Sequence, residues 1–502
     1  MRGKKTLVNS IMALVEEVAA IVVAFILPRL ILSVYGSIYN GLTTSITQFL
    51  QCAVLLRCGI GGATRAALYK PLAEKNRDEI NSIVKATDLF MKKIGAILGV
   101  SIIVFAAIYP FFVADEFDWF FTFSLFLIIG ASTFAESFFG ITYMILLQAD
   151  QMLWISSLLR TLCYIFNLAI SVVLIRLHCS IHMVKLGSAI VYVIYPIVLQ
   201  IYIRRKYSLN LHVQPNNKAI AQRWDAFWHQ FSLFIMDNTD VIVLTVFTNM
   251  LEVSVYSVYN LVVYGIRRLV MAFSNGLEAA FGNMLAKKED KALLENLSVV
   301  ETLMYTISTI VYTASFLLLL SFVRIYTSGV TDVDYLRPMF AYILLVAQFF
   351  YCVRLPYQMV VQAAGRYKDT KYIAIIEPIL NMVLSVVLVI KFGLVGVAIG
   401  TLAASFFKTV MFSRYMSVSV VKRPQWIAIE KCLTSFAEAG LSIIIVHLLN
   451  FDMPHGYIEW AGQAVVITMI IVIIVVGVNC VLFNKDIRLT IQKFKNITLK
   501  RL

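Results

Sequence analysis

The chain has 502 residues, of which 60% are hydrophobic and only 14% are charged. Soluble domains are typically about a quarter charged. This composition, with a mean hydropathy of +0.82, therefore excludes an ordinary soluble protein and indicates a chain whose solvent is lipid. The polar segments are too short to bury a core of their own, so we expect no separate soluble domain.

Apolar segments recur along the whole chain at the length of a membrane-crossing helix, which is about 20 residues. The first begins near Asn9 behind a basic N-terminus. It is too long for the apolar region of a signal peptide, so we expect it to be retained. Long continuous runs favour helices over the alternating strands of a barrel. Fourteen spans are predicted, at 9–34, 41–68, 88–113, 119–147, 152–176, 183–204, 228–249, 253–284, 297–324, 338–364, 370–391, 394–416, 427–450 and 458–483.

Basic residues are concentrated in the loops on one side of the predicted membrane. The positive-inside rule assigns that side, with both termini, to the cytoplasm. The net charge of +14 is then mostly a consequence of topology. It attracts anionic membrane lipids and needs no nucleic acid as a partner. The basic residues assigned to the opposite loops are Arg176, Lys185, Arg324, Arg337 and Lys391.

An internal repeat relates residues 143–175 to residues 357–389 without a gap. It maps predicted spans four and five onto spans ten and eleven, so each repeat contains six spans. Because six is even, both repeats enter the membrane from the same side, which predicts a pseudo-two-fold axis along the membrane normal. The polar pairs that match are Gln148 with Gln362, Asn167 with Asn381, and Ser171 with Ser385.

The repeat predicts an all-α integral membrane fold of about fourteen transmembrane helices. Residues 1–208 are the N-terminal six-helix half and residues 209–420 the C-terminal six-helix half. Residues 421–502 add two C-terminal helices and a basic tail outside the repeat. Transporters built from such repeats bind substrate between the halves and alternate access by rocking.

Ionisable residues within predicted spans indicate a cavity or a partner, because charge is unfavourable in lipid. Arg57 on span two and Arg267 on span eight stand at mid-depth on repeat-equivalent helices, which suggests a cationic cavity between the halves. The planar fork of arginine suits phosphate oxygens. Span eight also carries a polar stripe at helical spacing, formed by Asn260, Tyr264, Arg267, Asn275 and Glu278. The candidate cavity residues are Arg29, Arg57, Arg65, Asn260, Tyr264, Arg267 and Arg268.

A second interpretation stays open for these charges. Arginines such as Arg160 would form structural ion pairs with Glu16, Glu136 or Glu278. Glu136, together with Asp237 and Asp240, is a candidate site for a coupled Na⁺ or H⁺; the alternative is again pairing with arginines. We expect no other cofactor and no metal site. No catalytic constellation is present in the sequence, so we do not expect an enzyme.

Several segments resemble one family. They are Gly59-Ile-Gly-Gly-Ala-Thr-Arg65, Gln148-Ala-Asp-Gln151, 237–240, 255–260 and 281–286. Together they resemble the polysaccharide-biosynthesis flippases, the Wzx-type O-antigen and capsule exporters of the MATE-like multidrug/oligosaccharidyl-lipid/polysaccharide superfamily. The resemblance covers roughly residues 1–420.

The resemblance implies a V-shaped twelve-helix core with a central cationic cavity, in a bacterial inner membrane. The implied substrate is an undecaprenyl-diphosphate-linked oligosaccharide, moved from the cytoplasmic to the periplasmic leaflet for lipopolysaccharide or other surface polysaccharide. Polysaccharide polymerase machinery is a candidate partner. The related peptidoglycan lipid flippases use cavity arginines on spans one, two and eight, where this chain has Arg29, Arg57 and Arg267 or Arg268. The two additional spans resemble those fourteen-span flippases.

Three rival functions stay open. The first is a flippase for a lipid II-type peptidoglycan precursor. The second is a cation-coupled multidrug antiporter of the same fold, which should have a more acidic cavity. The third, an enzyme, is a membrane glycan polymerase or ligase, which usually carries a large periplasmic loop; the outer loops predicted here are short.

Overall fold

The computed structural model describes residues 2–54, 60–216, 238–274, 277–489 and 492. Within these ranges the regular structure is helical and contains no β-strand, which confirms the predicted all-α class. Nine helices in the described ranges are long and apolar enough to cross a membrane. The helices are α1 (Arg2–Tyr35), α2 (Ser37–Val54), α3 (Ile60–Glu74), α4 (Arg77–Ile108), α5 (Trp119–Ala135), α6 (Ile141–Ala149), α7 (Leu153–Arg176), α8 (Ile181–Lys206), α9 (Asn238–Phe247), α10 (Met250–Ala272), α11 (Leu277–Ala286), α12 (Asp290–Tyr326), α13 (Pro338–Val353), α14 (Leu355–Ala363), α15 (Tyr367–Tyr415), α16 (Trp426–Leu448) and α17 (Tyr457–Leu482).

The fourteen predicted spans map onto these helices in chain order. Spans one, three, five, six, nine, thirteen and fourteen each correspond to a single helix. Span two corresponds to α2 and α3, and only the last part of span seven, α9, is described. Span eight is divided into α10 and α11, whereas spans four and ten are continuous apolar helices, Trp119–Ala149 and Pro338–Ala363, each with one local irregularity.

The irregularities in spans four and ten have local causes. In span four, a π-helical turn at Glu136–Gly140 separates α5 from α6. In span ten, α13 ends before Arg354, and α14 follows with Pro356, whose ring has no N–H for a helical hydrogen bond. Spans four and ten are repeat-equivalent, so the repeat includes this interruption. The spacing of apolar residues along the chain indicates which side of a helix faces lipid. A local irregularity that does not change the direction of the helix leaves this spacing unchanged.

Two glycines with positive φ each join two successive spans. Gly36, with φ of +88°, is the single residue between α1 and α2. Gly393, with φ of +53°, lies within α15 and separates spans eleven and twelve. Both φ values fall in the region that favours glycine, because a Cβ would clash with the backbone there. Past the second reversal, Gly400 lies against Ser385, where a Cβ would collide with the neighbouring helix.

The polar residues matched by the repeat make the same hydrogen bond in each half. Ser385 Oγ donates to Asn381 Oδ1 at 3.1 Å, and Ser171 Oγ donates to Asn167 Oδ1 at 3.5 Å. All four residues are buried, and buried polar groups in lipid require such partners. These matches therefore reflect a shared structural requirement rather than chance similarity of apolar sequence.

The chain forms two compact units, residues 1–257 and 258–502. The first unit includes α9 and the first turns of α10, because both are bonded to α2. Asn40 Nδ2 donates to Ser254 Oγ and Ser257 Oγ, each at 2.9 Å, and Ser45 and Thr245 share a hydrogen bond of 2.6 Å. The bounds 1–208, 209–420 and 421–502 follow the sequence repeat and stay a prediction.

The two C-terminal helices of the second unit pack on α12. An apolar cluster joins the three helices through Leu318, Val446 and Ile471. A buried ionic cluster joins them near the end of α17. Glu301 on α12 binds Arg423 and Lys431 there, and Lys431 Nζ lies 3.4 Å from Asp486. We call these four charged residues the α12 ion cluster.

Asp486 follows α17, and its carboxylate is the outermost member of the α12 ion cluster. Burial alone would raise its pKa, but the hydroxyls of Ser298 and Thr302 and the ammonium of Lys431 outweigh burial and hold the pKa below its ordinary value of 3.8. A depressed carboxyl pKa stabilises the fold above the ordinary value and loses that effect only as pH falls through the folded-state pKa. The Asp486 carboxylate is therefore ionised at neutral pH and contributes to stability there.

We expect Lys431→Met to lower the stability of the second unit by about 3–5 kcal/mol, because it leaves the Asp486 carboxylate without a cation and Glu301 with Arg423 as its remaining cation. The measurement is the thermal unfolding midpoint of the purified protein. Lys485→Met, which removes an exposed lysine beside Asp486, is the control and should leave the midpoint unchanged. Equal midpoints for the two variants would contradict a stabilising role for the α12 ion cluster.

Candidate functional site

Two of the predicted site residues, Arg57 and Asp237, lie outside the described residues, as does Asn275 of the predicted stripe. Arg29 lies in α1 and is half-buried. Asp240 lies in α9 and is buried, with 7% of its surface exposed, and it accepts a hydrogen bond of 3.0 Å from the Tyr256 hydroxyl. The Asp240 carboxylate thus accepts a hydrogen bond from a tyrosine. The role of Asp240 in ion coupling stays a prediction.

Arg65 lies in α3 and is half-buried. Its Nη1 donates to Oε1 of Gln148, 3.1 Å away, near the end of α6. The Gln148 amide is neutral, so this bond leaves the charge of Arg65 uncompensated by its partner. Gln148 belongs to the segment Gln148–Gln151 that carried part of the family resemblance, and Asp150 of the same segment accepts a hydrogen bond from Tyr207.

Arg267 is the most enclosed of the described cavity candidates, with 6% of its surface exposed. Its guanidinium carbon lies 3.8 Å from the centroid of the Tyr264 ring and 4.6 Å from that of the Tyr351 ring. Delocalised charge of this kind is attracted to aromatic faces. Asn260 is half-buried on the same helix, whereas the neighbouring Arg268 is exposed. The structure therefore brings Arg267 and Tyr264 together and directs Arg268 elsewhere.

A fully buried ionic triad lies beside this arginine in the second unit. The Glu377 carboxylate binds both Arg354 and Lys408, and all three side chains are less than a tenth exposed. Arg354 also lies over the Tyr351 ring, at 4.3 Å from its centroid. We call Arg354, Glu377 and Lys408 the Glu377 triad. Arginine and lysine outnumber the carboxylate in it, so the triad carries surplus positive charge.

Arg354 and Lys408 are not among the cavity residues predicted from the sequence, although they fall inside predicted spans ten and twelve. Their position within apolar runs was the available signal, because ionisable groups at membrane depth are rarely incidental. Glu377 is also inside a predicted span, but its two partners are distant in sequence. No local spacing could connect the three residues.

Arg160 forms an ion cluster in the first unit. Its Nη2 donates to Glu136 Oε1 at 3.1 Å, its Nη1 lies 3.7 Å from Glu16 Oε1, and its Nε donates to the Tyr195 hydroxyl at 3.2 Å. The ion-pair interpretation therefore describes Arg160. Glu136, a candidate for ion coupling, has a guanidinium beside it. We call these three charged residues the Arg160 cluster.

The Arg160 cluster borders a polar cavity of about 260 Å³, whose wall also includes Thr133, Cys163 and three tyrosines. A second cavity, of about 250 Å³, shares Ser132 and Tyr192 with it and reaches Lys185 and Pro28. Both cavities lie among helices of the first unit. Polar walls with donors and acceptors are suited to holding water.

Lys185, which the charge count assigns to the outer side, lies near the start of predicted span six. It stands in α8, which begins at Ile181 because Ser180 caps the helix through the Met183 amide. The polar stripe of span eight needs correction. The helix α10 ends at Ala272, and Glu278 lies in α11, exposed, so the stripe does not continue along one helix.

Part of the chain matches a known family model. Residues 226–387 match MatE. This is less than half of the chain. No curated protein sequence matches the chain.

The fold is similar to that of several solved structures. A structure of the lipid II flippase MurJ in an inward closed conformation aligns with a TM-score of 0.71 at 14% identity, covering 94% of this chain and 99% of that one. A multidrug resistance MATE family transporter of the MOP superfamily, in an inward-facing conformation, aligns with a TM-score of 0.59 at 14% identity, covering 82% and 95%. A eukaryotic MATE transporter aligns with a TM-score of 0.54 at 14% identity, covering 86% and 97%.

The chain therefore has the multi-helix membrane fold of MATE-like transporters and of a lipid flippase. All three of the aligned structures are transport proteins rather than catalysts. The prediction of a transporter fold is confirmed, and the polysaccharide-specific part of the resemblance stays a prediction.

The cavity beside Arg160 can be probed through its own thiol. In variants that retain a single cysteine, we expect Cys163 to react with a small methanethiosulfonate reagent faster than Cys352. The rate difference should be on the order of tenfold or more, because a buried thiol reacts only through local opening. Cys352 is fully buried, and Cys163 lines the cavity. Equal labelling rates in the folded protein would contradict access of the reagent to Cys163 through the cavity.

Proposed function

We propose that this protein is a flippase that moves an undecaprenyl-diphosphate-linked oligosaccharide from the cytoplasmic to the periplasmic leaflet of a bacterial inner membrane. Alternating access is the proposed mechanism, and surface polysaccharide is the proposed destination of the sugar. Both termini would lie in the cytoplasm, as the distribution of basic residues predicts. The observation that carries the proposal is the burial of Arg267, which lies in predicted span eight.

A diphosphate headgroup must exchange its water for hydrogen-bond donors before it can cross the hydrocarbon core. Arg267 supplies a planar guanidinium whose central carbon lies over two tyrosine rings. Ring stacking uses the faces of that plane, whereas phosphate oxygens bind at its edge, so both interactions are compatible. The surplus positive charge of the Glu377 triad adds an electrostatic field favourable to an anion.

The remaining cavity candidates are proposed as further contacts with the lipid-linked substrate. They are Arg29, Arg57, Arg65, Asn260, Tyr264 and Arg268. Several donors are required because a diphosphate offers many oxygens, and one bidentate arginine satisfies only part of them. Polysaccharide polymerase machinery is the proposed protein partner.

A lipid II-type precursor is the second candidate substrate. It is favoured by the alignment with the lipid II flippase, which covers 94% of this chain, whereas the multidrug transporter aligned above covers 82%. A multidrug antiporter is less well supported, because Arg267 and the Glu377 triad would repel cationic drugs. The short outer loops argue against a glycan polymerase or ligase.

We expect Arg267→Ala to reduce transport of a fluorescent undecaprenyl-diphosphate oligosaccharide in proteoliposomes about 10- to 100-fold. Hydrogen bonds to charged groups contribute about 1.5–3 kcal/mol, which corresponds to that range. Arg324→Ala, at an exposed arginine of α12, is the matched control and should transport normally. Normal transport by Arg267→Ala would refute the arginine site. Transport of lipid II or of a cationic drug in place of the oligosaccharide would select a rival function.

Ion coupling is proposed at Asp237, Asp240 and Glu136. We expect collapse of the Na⁺ or H⁺ gradient to stop net flipping, and we expect Asp240→Asn to remove the gradient dependence, because an amide cannot exchange a proton or balance a cation. The measurement is initial flipping rate in proteoliposomes with and without each imposed gradient. Unchanged flipping without any gradient would exclude coupling at these carboxylates.

A further inference from the structure

Arg267 stands at one end of a row of side chains that begins in the interior of the second unit. The guanidinium of Arg354 lies 4.3 Å from the centroid of the Tyr351 ring, and the guanidinium of Arg267 lies 4.6 Å from the same centroid. Glu377 binds Arg354 at the far end of the row. The order is therefore Glu377, Arg354, Tyr351, Arg267.

The inner end of this row is held firmly. Glu377 is fully buried, the Arg354 side chain is only 3% exposed, and Lys408 binds the same carboxylate. A buried ion pair cannot separate without leaving bare charge in a medium that solvates it poorly. Arg354 thus has a fixed position beside Tyr351, and its pairing with Glu377 keeps it from turning toward an anion elsewhere.

The outer end of the row lies against two aromatic rings, Tyr351 on one helix and Tyr264 on another. Arginine has several rotatable bonds, and a freely rotating guanidinium loses entropy when it binds a ligand. Contact with both rings restricts the orientations of the Arg267 guanidinium. A restricted guanidinium favours bidentate binding, which suits a diphosphate better than an anion bound through a single oxygen.

We propose that Tyr351 is a positioning residue. Its ring, held by the ion-paired Arg354, orients Arg267 and thereby favours lipid diphosphates over lipid monophosphates. The inference rests on the proposed flippase function and adds to it a determinant of headgroup selectivity. The aromatic ring of Tyr351, and not its hydroxyl, is responsible for this positioning, because the guanidinium carbons of Arg354 and Arg267 both lie over the ring.

The test compares three variants of the purified protein. Tyr351→Leu removes the ring, and Tyr351→Phe keeps it without the hydroxyl. Tyr342→Leu is the matched control, because Tyr342 lies on the same helix and stacks on Phe316 at 4.0 Å instead of on an arginine. Dissociation constants for a short-chain prenyl diphosphate and the matching prenyl monophosphate are measured in detergent by calorimetry, with the thermal midpoint of each variant.

We expect Tyr351→Leu to weaken diphosphate binding on the order of tenfold, the scale of a desolvated cation–π contact. Monophosphate binding should change little, so the preference for diphosphate falls. Tyr351→Phe and Tyr342→Leu should bind both lipids as the unaltered protein does. In an Arg267→Ala background, Tyr351→Leu should have no further effect, because the residue that it positions is gone.

Three results would overturn the inference while leaving the flippase proposal intact. They are unchanged selectivity in Tyr351→Leu, an equal loss in Tyr342→Leu, or a loss in Tyr351→Phe as large as that in Tyr351→Leu. Failure of the unaltered protein to bind any prenyl diphosphate would instead overturn the proposed function, and the positioning role with it. The two failures are therefore distinguishable in one set of titrations.

Discussion

The fold depends on one constraint, which is that charge removed from water must be compensated within the protein. In a hydrocarbon environment an isolated ion is far less stable than a paired one, so ionic groups in spans occur in satisfied clusters. Three such clusters are described: the Arg160 cluster in the first unit, and the Glu377 triad and α12 ion cluster in the second. Each joins helices that are distant in sequence.

The repeat preserves neutral polar contacts and changes the charged ones. Asn167 with Ser171, and Asn381 with Ser385, make the same bond in both halves. By contrast, the Arg160 cluster places two carboxylates around one guanidinium, and the Glu377 triad places two cations around one carboxylate. The Arg160 cluster therefore has one more carboxylate than cation, and the Glu377 triad has one more cation than carboxylate. Arg267 belongs to the unit that contains the Glu377 triad, which fits a role in binding an anionic headgroup.

Hydropathy and charge predicted the class of fold well, because both are properties of single segments. The π-helical turn at Glu136–Gly140 is not predicted by the sequence, because a helix that resumes in the same direction keeps its apolar pattern. Of the predicted cavity residues, Arg267 and Tyr264 contact each other. Tyr351 is not among the predicted cavity residues, because an aromatic residue in an apolar span has no distinguishing sequence signal.

The last two spans show how compensation of charge extends the fold beyond the repeat. The sequence repeat ends before them and predicts no contact for them. In the structure, α16 and α17 are joined to each other by the bond from Asn479 to Glu438, 2.7 Å long. They are joined to α12 by an apolar cluster and by the α12 ion cluster near the end of α17. Separating a buried ion cluster is strongly unfavourable. We therefore expect α16 and α17 to move together with α12 in any rearrangement of the second unit. They are therefore an integral part of the same body that carries Arg267 and the Glu377 triad.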